Sequence, residues 1–520
     1  MCNKDLGNQG LSGLELSREY YENYGAPMIH EQFADYESKI AVGLVGEGSE
    51  CYGFDDSFSA DHDFGPEFCM WLDDETYDAI GDKLQAAYDA LPEQFLGYRR
   101  STTAMGQGRR GVMRIKDFYE KHLHASSYEE IDFAGIEDYE LAVCVNGQVF
   151  RDDEGSFSLL RNQLMQGYPE EIRLKKLAQD VAGFSQTGQY NYKRMMDRED
   201  SITANLMLSD FAKHAMKLYH HMNNAFPPHD KWLRKSTASL GALENSEGNL
   251  VVLGAIEQIY GKLMMGDSPD DIVSVIDGLG DYFAKALYQL GDISEIDSYL
   301  DHHIGELMFK AGIANLSEED LVNRIVRLEF EAFDKVQNEG GRASCQNNWP
   351  TFSVMRKSQY MLWTRQMLRQ YLYDFTREYE LGHNLITEKY GRMMESTAPD
   401  RYKEICQYFP EISETKKAVI EQIVGIQMSM LEEFSKEYPL LAGNARSFHT
   451  YEDNPMNTSY ETYLRGEIST YSDKMLQLYG GFVVSCAQDS RNIARDTIAN
   501  TGYLYGYKDL DSFEASVREG

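Results

Sequence analysis

Residues 40–65 read IAVGLV followed by GEGSECYGFDDSFSADHDFG. The first six are a short apolar run of strand length and strand composition, stopped by Gly46. Gly46 and Gly48 let the backbone turn sharply and approach a ligand, and Ser49 adds a hydroxyl. Successive backbone N–H groups in such a turn make a concave anion site. Asp61 and Asp63 then flank His62. On a strand, residues two apart share a face, which sets the two carboxylates about 6–7 Å apart at their roots. From there they can converge on cations spaced about 3.5–4 Å apart. A phosphate-gripping turn followed by two metal-binding carboxylates is what phosphoryl or nucleotidyl transfer requires.

Other readings of these glycines and acids fit less well. A dinucleotide fingerprint needs a third glycine where Cys51 stands, and the chain has no G-x-x-x-x-G-K-[ST] run. Asp55, Asp56, Asp61 and Asp63 lack the register and the closing Glu of an EF-hand. The plain alternative is an acidic, Gly-rich surface loop.

Working outward, strand signals stay in the first third of the chain. They are 64–72 (FGPEFCMWL), 112–115 (VMRI) and 143–150 (VCVNGQVF), the last split by an Asn146-Gly147 turn. Between the first two, 74–90 has helical spacing. Beyond residue 155 the pattern is helical. Phe211, Ala215, Leu218, Met222 and Phe226 recur at steps of three and four up to Pro227-Pro228. Leu321, Ile325, Leu328, Ala332 and Val336 do the same up to Gly340-Gly341, with Ser317 as N-cap and Glu318, Glu319 and Asp320 in the first turn. Joints are expected at 241–249 and 315–320. The expectation is an α+β chain: a mixed sheet with helices over 1–155, a helical domain over 156–315 that closes the cleft, and an all-α domain over 316–520.

The composition narrows the partners. With 50 Lys+Arg against 84 Asp+Glu the net charge is −34, which argues against a nucleic-acid or anionic-membrane surface. The 7 cysteines are scattered with no C-x-x-C pair, as expected in a reducing compartment. The N-terminus is polar, and the longest apolar stretches, such as 250–256, fall far short of the ~20 residues a membrane helix needs. A cytoplasmic protein with no membrane segment is expected.

The Gly48-Ser49 pair, eleven intervening residues and Asp61-x-Asp63 resemble the signature of the nucleotidyltransferase superfamily, which includes DNA polymerase β and kanamycin nucleotidyltransferase. The longer string Gly-Ser…Gly-Phe-Asp-Asp…Ser-x-Asp-His-Asp-x-Gly-Pro resembles a bacterial family of nucleotidyltransferase-like proteins. Similarity continues through 147–153 (GQVFRDD), Tyr168-Pro169, 189–194 (QYNYKR) and Lys231-Trp232-Leu233, over roughly the first 240 residues. The resemblance implies an NTP, ATP foremost, bound through Mg²⁺ (or Mn²⁺) to Asp61 and Asp63, with Gly48 and Ser49 on its phosphates. A small-molecule or protein acceptor would attack the α-phosphate and pyrophosphate would leave. Arg194 and Lys231 are candidates for the triphosphate, with ordinary surface ion pairing as their alternative. The superfamily commonly supplies a third carboxylate on a later strand, yet 112–115 carries none. Asp117 just beyond is the leading candidate for that catalytic role, with Asp132 and Glu140 as other options. A nucleotide-binding regulatory or scaffold protein with an inactive core is the alternative function.

In the last third, 338–359 (NEGGRASCQNNWPTFSVMRKSQ) reads as a loop dense in functional groups, with Arg342, Cys345 and Arg356 as candidates. It resembles a second bacterial domain family of unknown function, on through Trp363, Tyr371-x-x-Asp374 and Tyr460-Glu461-x-x-x-x-Gly466-Glu467. Cys345 could serve as a nucleophile with His383 or His449 as base. The plain alternative is a buried small hydrophobe at a helix end. Glu329, Asp334 and Glu339 are spaced by five, which does not suit a di-iron carboxylate site. His122-x-His124 could present two imidazoles on one strand face, while His220-His221 and His302-His303 are adjacent pairs; none has a third ligand at metal spacing.

Overall fold

Strand β1 (Ala41–Leu44) is buried along its whole length, as its apolar run dictates. It lies inside a four-stranded sheet with β2 (Cys69–Leu72), β3 (Gly111–Arg114) and β4 (Gln148–Arg151), in the order β3-β2-β1-β4. β1 runs antiparallel to β2, with Val42 opposite Met70, and antiparallel to β4, while β2 and β3 are parallel. The computed structural model describes residues 11–56, 64–100, 108–241, 248–337, 341–443 and 446–519. The chain divides into two compact units, Met1–Tyr282 with Ser298–Ile304, and Phe283–Asp297 with Gly305–Gly520.

The period of two along the strands sorts side chains onto two faces. Ala41, Cys69 and Trp71 pack on one face with Phe118, Tyr119 and Phe157, and the indole of Trp71 stacks on Phe157 at 4.0 Å. Val42, Met70 and Leu72 face the other side, among Tyr20, Ile29, Leu84 and Tyr88. Helices cover both: α1 (Asp74–Asp89), capped by the Asp73 carboxylate, on the second face, and α2 (Ile115–Leu123) with α3 (Asp138–Val145) on the first. Three further helices of this unit are α4 (Glu170–Phe184), α5 (Ser201–Met222) and α6 (Asp230–Ser239), and the second unit contains α7 (Glu318–Asp334).

Four expectations are corrected. The stretch expected as a strand from 143 begins as helix: Val143–Val145 are the last turn of α3, and only Gln148–Arg151 is extended. A short, wholly apolar run carries no period to separate helix from strand, and the acidic first turn of Asp138 and Glu140 favours the helix. The helix expected to reach Phe226 ends at Met222, and Phe226 packs edge-on against Tyr168 at 4.6 Å from the connection beyond. His122 and His124 lie not on a strand but at the end of α2, where His124 takes a left-handed φ of 52°. Finally, the second half of the segment read as a loop is helix α8 (Trp349–Tyr360), because Asn348 caps it and Pro350 suits its first turn.

The second unit is helical among its described residues. Alongside α7 and α8 it holds α9 (Arg365–Glu380), α10 (Leu385–Thr397), α11 (Glu414–Glu437), α12 (Tyr460–Ile468), α13 (Asp473–Gln488) and α14 (Ile493–Leu504). Ser317 caps α7 as its spacing predicts, accepting from the Asp320 N–H at 3.1 Å. One apolar core joins these helices, centred on Trp363 with Tyr360, Tyr371, Tyr471 and Tyr479 around it. Among the described residues no helix is long and apolar enough to cross a membrane.

Candidate functional site

The turn leaving β1 has the conformation that its glycines permit. Gly46 and Gly48 adopt φ of 126° and 124°, which L side chains rarely take. Ser49 then opens a single turn of helix, Glu50–Tyr52, and its carbonyl accepts from the Tyr52 and Phe54 N–H groups. The turn is fixed from a distance. Asn146 accepts from the Gly46 N–H at 3.0 Å and donates to the Gly46 carbonyl at 2.8 Å. Its neighbour Gly147, with φ of 62°, lies so close to β1 that a Cβ there would sit 1.9 Å from the Leu44 carbonyl oxygen.

The middle residue of the turn, Glu47, meets two cations, Arg109 at 2.7 Å and Lys121 at 2.7 Å. Burial pushes its carboxyl up, but Lys121 and Arg109 outweigh that and hold it below the usual carboxylate range. Arg110 is half-buried beside it, bonded to the Glu50 carboxylate and, at 3.3 Å, to the Glu47 carbonyl. A cavity of about 160 Å³ opens here, lined among others by Gly46, Glu47, Arg109, Asp117, Lys121 and His122. Asp117 stands exposed in the first turn of α2. His122 is buried, donates from Nδ1 to the Glu140 carboxylate at 2.7 Å, and is held below its ordinary value by burial.

Helix α6 joins this site from far along the chain. Trp232 packs on Tyr52 with the rings tilted by 42° and their centroids 4.8 Å apart, and the Lys231 ammonium lies 4.3 Å from the Trp232 ring centroid. Lys235, which the sequence reading passed over, donates to the Phe54 carbonyl at 2.8 Å and pairs with Asp56 at 3.3 Å. Its position four residues after Lys231, on the same helix face, was the available signal. Arg194 sits exposed on a short helix over Tyr190, 4.4 Å from its ring centroid, and the described contacts do not bring it to the turn. Asp61 and Asp63 lie outside the described residues. The described carboxylates at the cavity do not by themselves make a metal site: Glu47 is already neutralised, and among the described residues no three His, Cys, Asp or Glu side chains are arranged to hold an ion.

The His220-His221 pair is tied up within the first unit. His220, brought down to about 4 by burial, bonds the Met216 carbonyl and Ser236, while His221 pairs with Asp180 at 2.6 Å.

In the second unit, Arg342 is exposed and pairs with Asp334, tying the end of α7 to the turn at Asn347. Cys345 is exposed on the Ser344–Asn347 turn, which corrects the expectation of a buried thiol. Neither proposed base reaches it among the described contacts. His383 sits between Glu388 at 2.9 Å and Glu378 at 2.7 Å, which push it up to about 9, and His449 pairs with Glu432 at 3.3 Å. Arg356 is fully buried. Its guanidinium is bonded to Glu329 at 2.6 Å and Glu467 at 2.9 Å, with Lys389 also on Glu467. Tyr360 and Tyr371 both donate to Glu329, at 2.6 and 2.8 Å.

Residues 133–233 match a family described as "Domain of unknown function (DUF4037)", and residues 319–515 match a family described as "Protein of unknown function (DUF4125)". One match falls in each compact unit. The first takes in Asn146, Arg194 and Lys231 but begins after the Gly46–Ser49 turn. No curated protein and no solved structure matches the chain.

Proposed function

We propose that the first unit is a nucleotidyltransferase of the superfamily its Gly-Ser and Asp-x-Asp pattern resembles. It would use Mg²⁺, or Mn²⁺, to move a nucleoside monophosphate from an NTP such as ATP to a small-molecule or protein acceptor, releasing pyrophosphate. The observation that carries this reading is the Gly46–Ser49 turn, which leaves an inner strand with two positive φ angles beside a cavity lined by Arg109 and Lys121.

In this reading the N–H groups of Gly48 and Ser49 grip the triphosphate, and Arg109 and Lys121 exchange the Glu47 carboxylate for phosphate oxygens. Asp61 and Asp63 would hold the metal, which would supply neutralisation of the triphosphate charge. Asp117 accepts the proton of the acceptor's attacking group. Lys235 places positive charge beside Asp56 on the segment that leads to Asp61, and Lys231 on the same helix would approach the triphosphate. The net charge of −34 favours a small or protein acceptor over nucleic acid. A second reading, a nucleotide-binding regulatory protein without turnover, draws on the engagement of both cations by Glu47.

Labelled ATP and Mg²⁺, incubated with the full chain and a cell-extract metabolite and protein pool, should yield a nucleotidylated product by mass spectrometry. The paired substitution Asp61→Asn with Asp63→Asn should remove it. Product formation that survives both substitutions sinks the assignment, and metal-dependent NTP binding without product establishes the second reading.

A further inference from the structure

A cavity of about 420 Å³ opens in the second unit, among helices α8, α11, α12 and α14. It is within the size range of small-molecule sites, about 300–1,000 Å³. Its walls include the half-buried rings of Phe352, Tyr390, Phe448, Tyr463 and Phe482, over a buried floor formed in part by Trp363. Aromatic rings left half open around a space of this size offer flat apolar surface to a flat apolar guest.

The polar groups on the floor are already satisfied. Arg356 spends its donors on Glu329, Glu467 and Gln359, and Glu467 accepts in turn from Gln359 and Lys389. Gln427 bonds Tyr479 at 2.9 Å and accepts from Tyr460 at 3.4 Å. The two buried carboxylates and two buried cations cancel, so the floor presents no net charge to a ligand. The exposed rim differs. Arg446 lies over Tyr463, 4.5 Å from the ring centroid, and donates to the Thr458 carbonyl at 3.2 Å. Among the described residues no carboxylate pairs with it, in a chain where 84 acids outnumber 50 Lys and Arg.

We propose that this cavity binds a small planar aromatic molecule carrying one acidic group, its rings among Tyr390, Tyr463 and Phe482 and its anion on Arg446. The site belongs to the second unit and stands whether or not the first unit transfers nucleotides.

Anilinonaphthalene sulfonate has this chemistry, and phenylnaphthylamine is its uncharged counterpart. The full-length chain should bind the sulfonate saturably, at one site, with blue-shifted emission, and binding should slow alkylation of Cys345, which lines the same cavity. Arg446→Gln, at an exposed position, should weaken the sulfonate about tenfold while leaving phenylnaphthylamine unchanged. Thr497→Trp, which fills the cavity, should abolish both while the circular dichroism is retained. If that variant does not fold, the Arg446→Gln comparison and the protection of Cys345 carry the test. Absence of saturable binding to the native chain overturns the proposal. So does equal loss of both probes in Arg446→Gln, or undiminished binding in a folded Thr497→Trp.

Discussion

Arg356 and Glu467, 111 positions apart in the chain, meet inside the second unit at 2.9 Å between Nη1 and Oε2. The Glu467 carboxyl is penalised by burial, yet Arg356 and Lys389 hold it well below the usual carboxylate range. Arg356→Met should leave Glu329 and Glu467 buried with Lys389 as their remaining cation. A loss of about 3–5 kcal/mol is expected for breaking a buried pair from one side. Urea unfolding followed by circular dichroism measures it, and a loss below about 1 kcal/mol would show the network to be dispensable.

Gly48 has no room for a side chain. A Cβ there would lie 2.4 Å from the Glu50 carboxylate, on a backbone already at φ 124°. Gly48→Ala should cost about 1–3 kcal/mol and push Glu50 off Arg110. NTP binding measured by calorimetry should fall with it; a variant with unchanged stability and binding would argue that the turn is not tightly specified.

Asp374 gives the second unit a pH dependence of unusual sign. Burial, with a smaller push from Glu306, drives its carboxyl up to about 7 against the bonds from Ser472 and Gln370 and the attraction of Lys310. Between pH ~4 and ~7 the unfolded chain releases this proton while the folded chain keeps it, so the contribution to stability falls as pH rises through that window. It levels off above the folded pKa. Asp374→Asn should abolish this decline and gain up to about 4 kcal/mol relative to the parent at pH 8, read from urea midpoints across the range. A parent and variant with parallel pH profiles would contradict it.

The described cysteines divide by access. Cys345 and Cys406 are exposed, whereas Cys51, Cys69, Cys144 and Cys486 are buried, and burial pushes the Cys51 thiol up to about 12. Brief iodoacetamide treatment of the native chain should label Cys345 and Cys406 well ahead of those four, as read by peptide mass spectrometry. Early labelling of Cys51 would mean that the segment around the Gly48 turn opens readily.

The first strand is readable because it is an apolar run stopped by glycine, whereas the fourth, Gln148–Arg151, is half polar and follows an apolar run that is helix. The turn at Gly46 and Gly48 was readable from its glycines. Its clamp was not, since Asn146 acts on Gly46 across 100 positions and the pair looked like an ordinary Asn-Gly turn. Lys231 was noticed and Lys235 was not, although the same helix face presents both. Cys345 stands out as a candidate nucleophile in a loop dense in functional groups, but that its turn leaves the thiol exposed is something no periodicity reveals. Glu329 was weighed against acids of its own helix, whereas its partners Arg356, Tyr360 and Tyr371 come from α8 and α9. Spacing within one element cannot report pairing between elements.

The grip of α6 on the segment after Ser49 also orders events during synthesis. Tyr52 and Phe54 leave the ribosome long before Trp232 and Lys235, which are their partners. The four strands are complete by Arg151, but Phe54 and Asp56 wait for Lys235, which follows Phe54 by 181 positions. A stall between residues 152 and 231 would therefore leave all four strands made while Tyr52, Phe54 and Asp56 still lack their partners on α6.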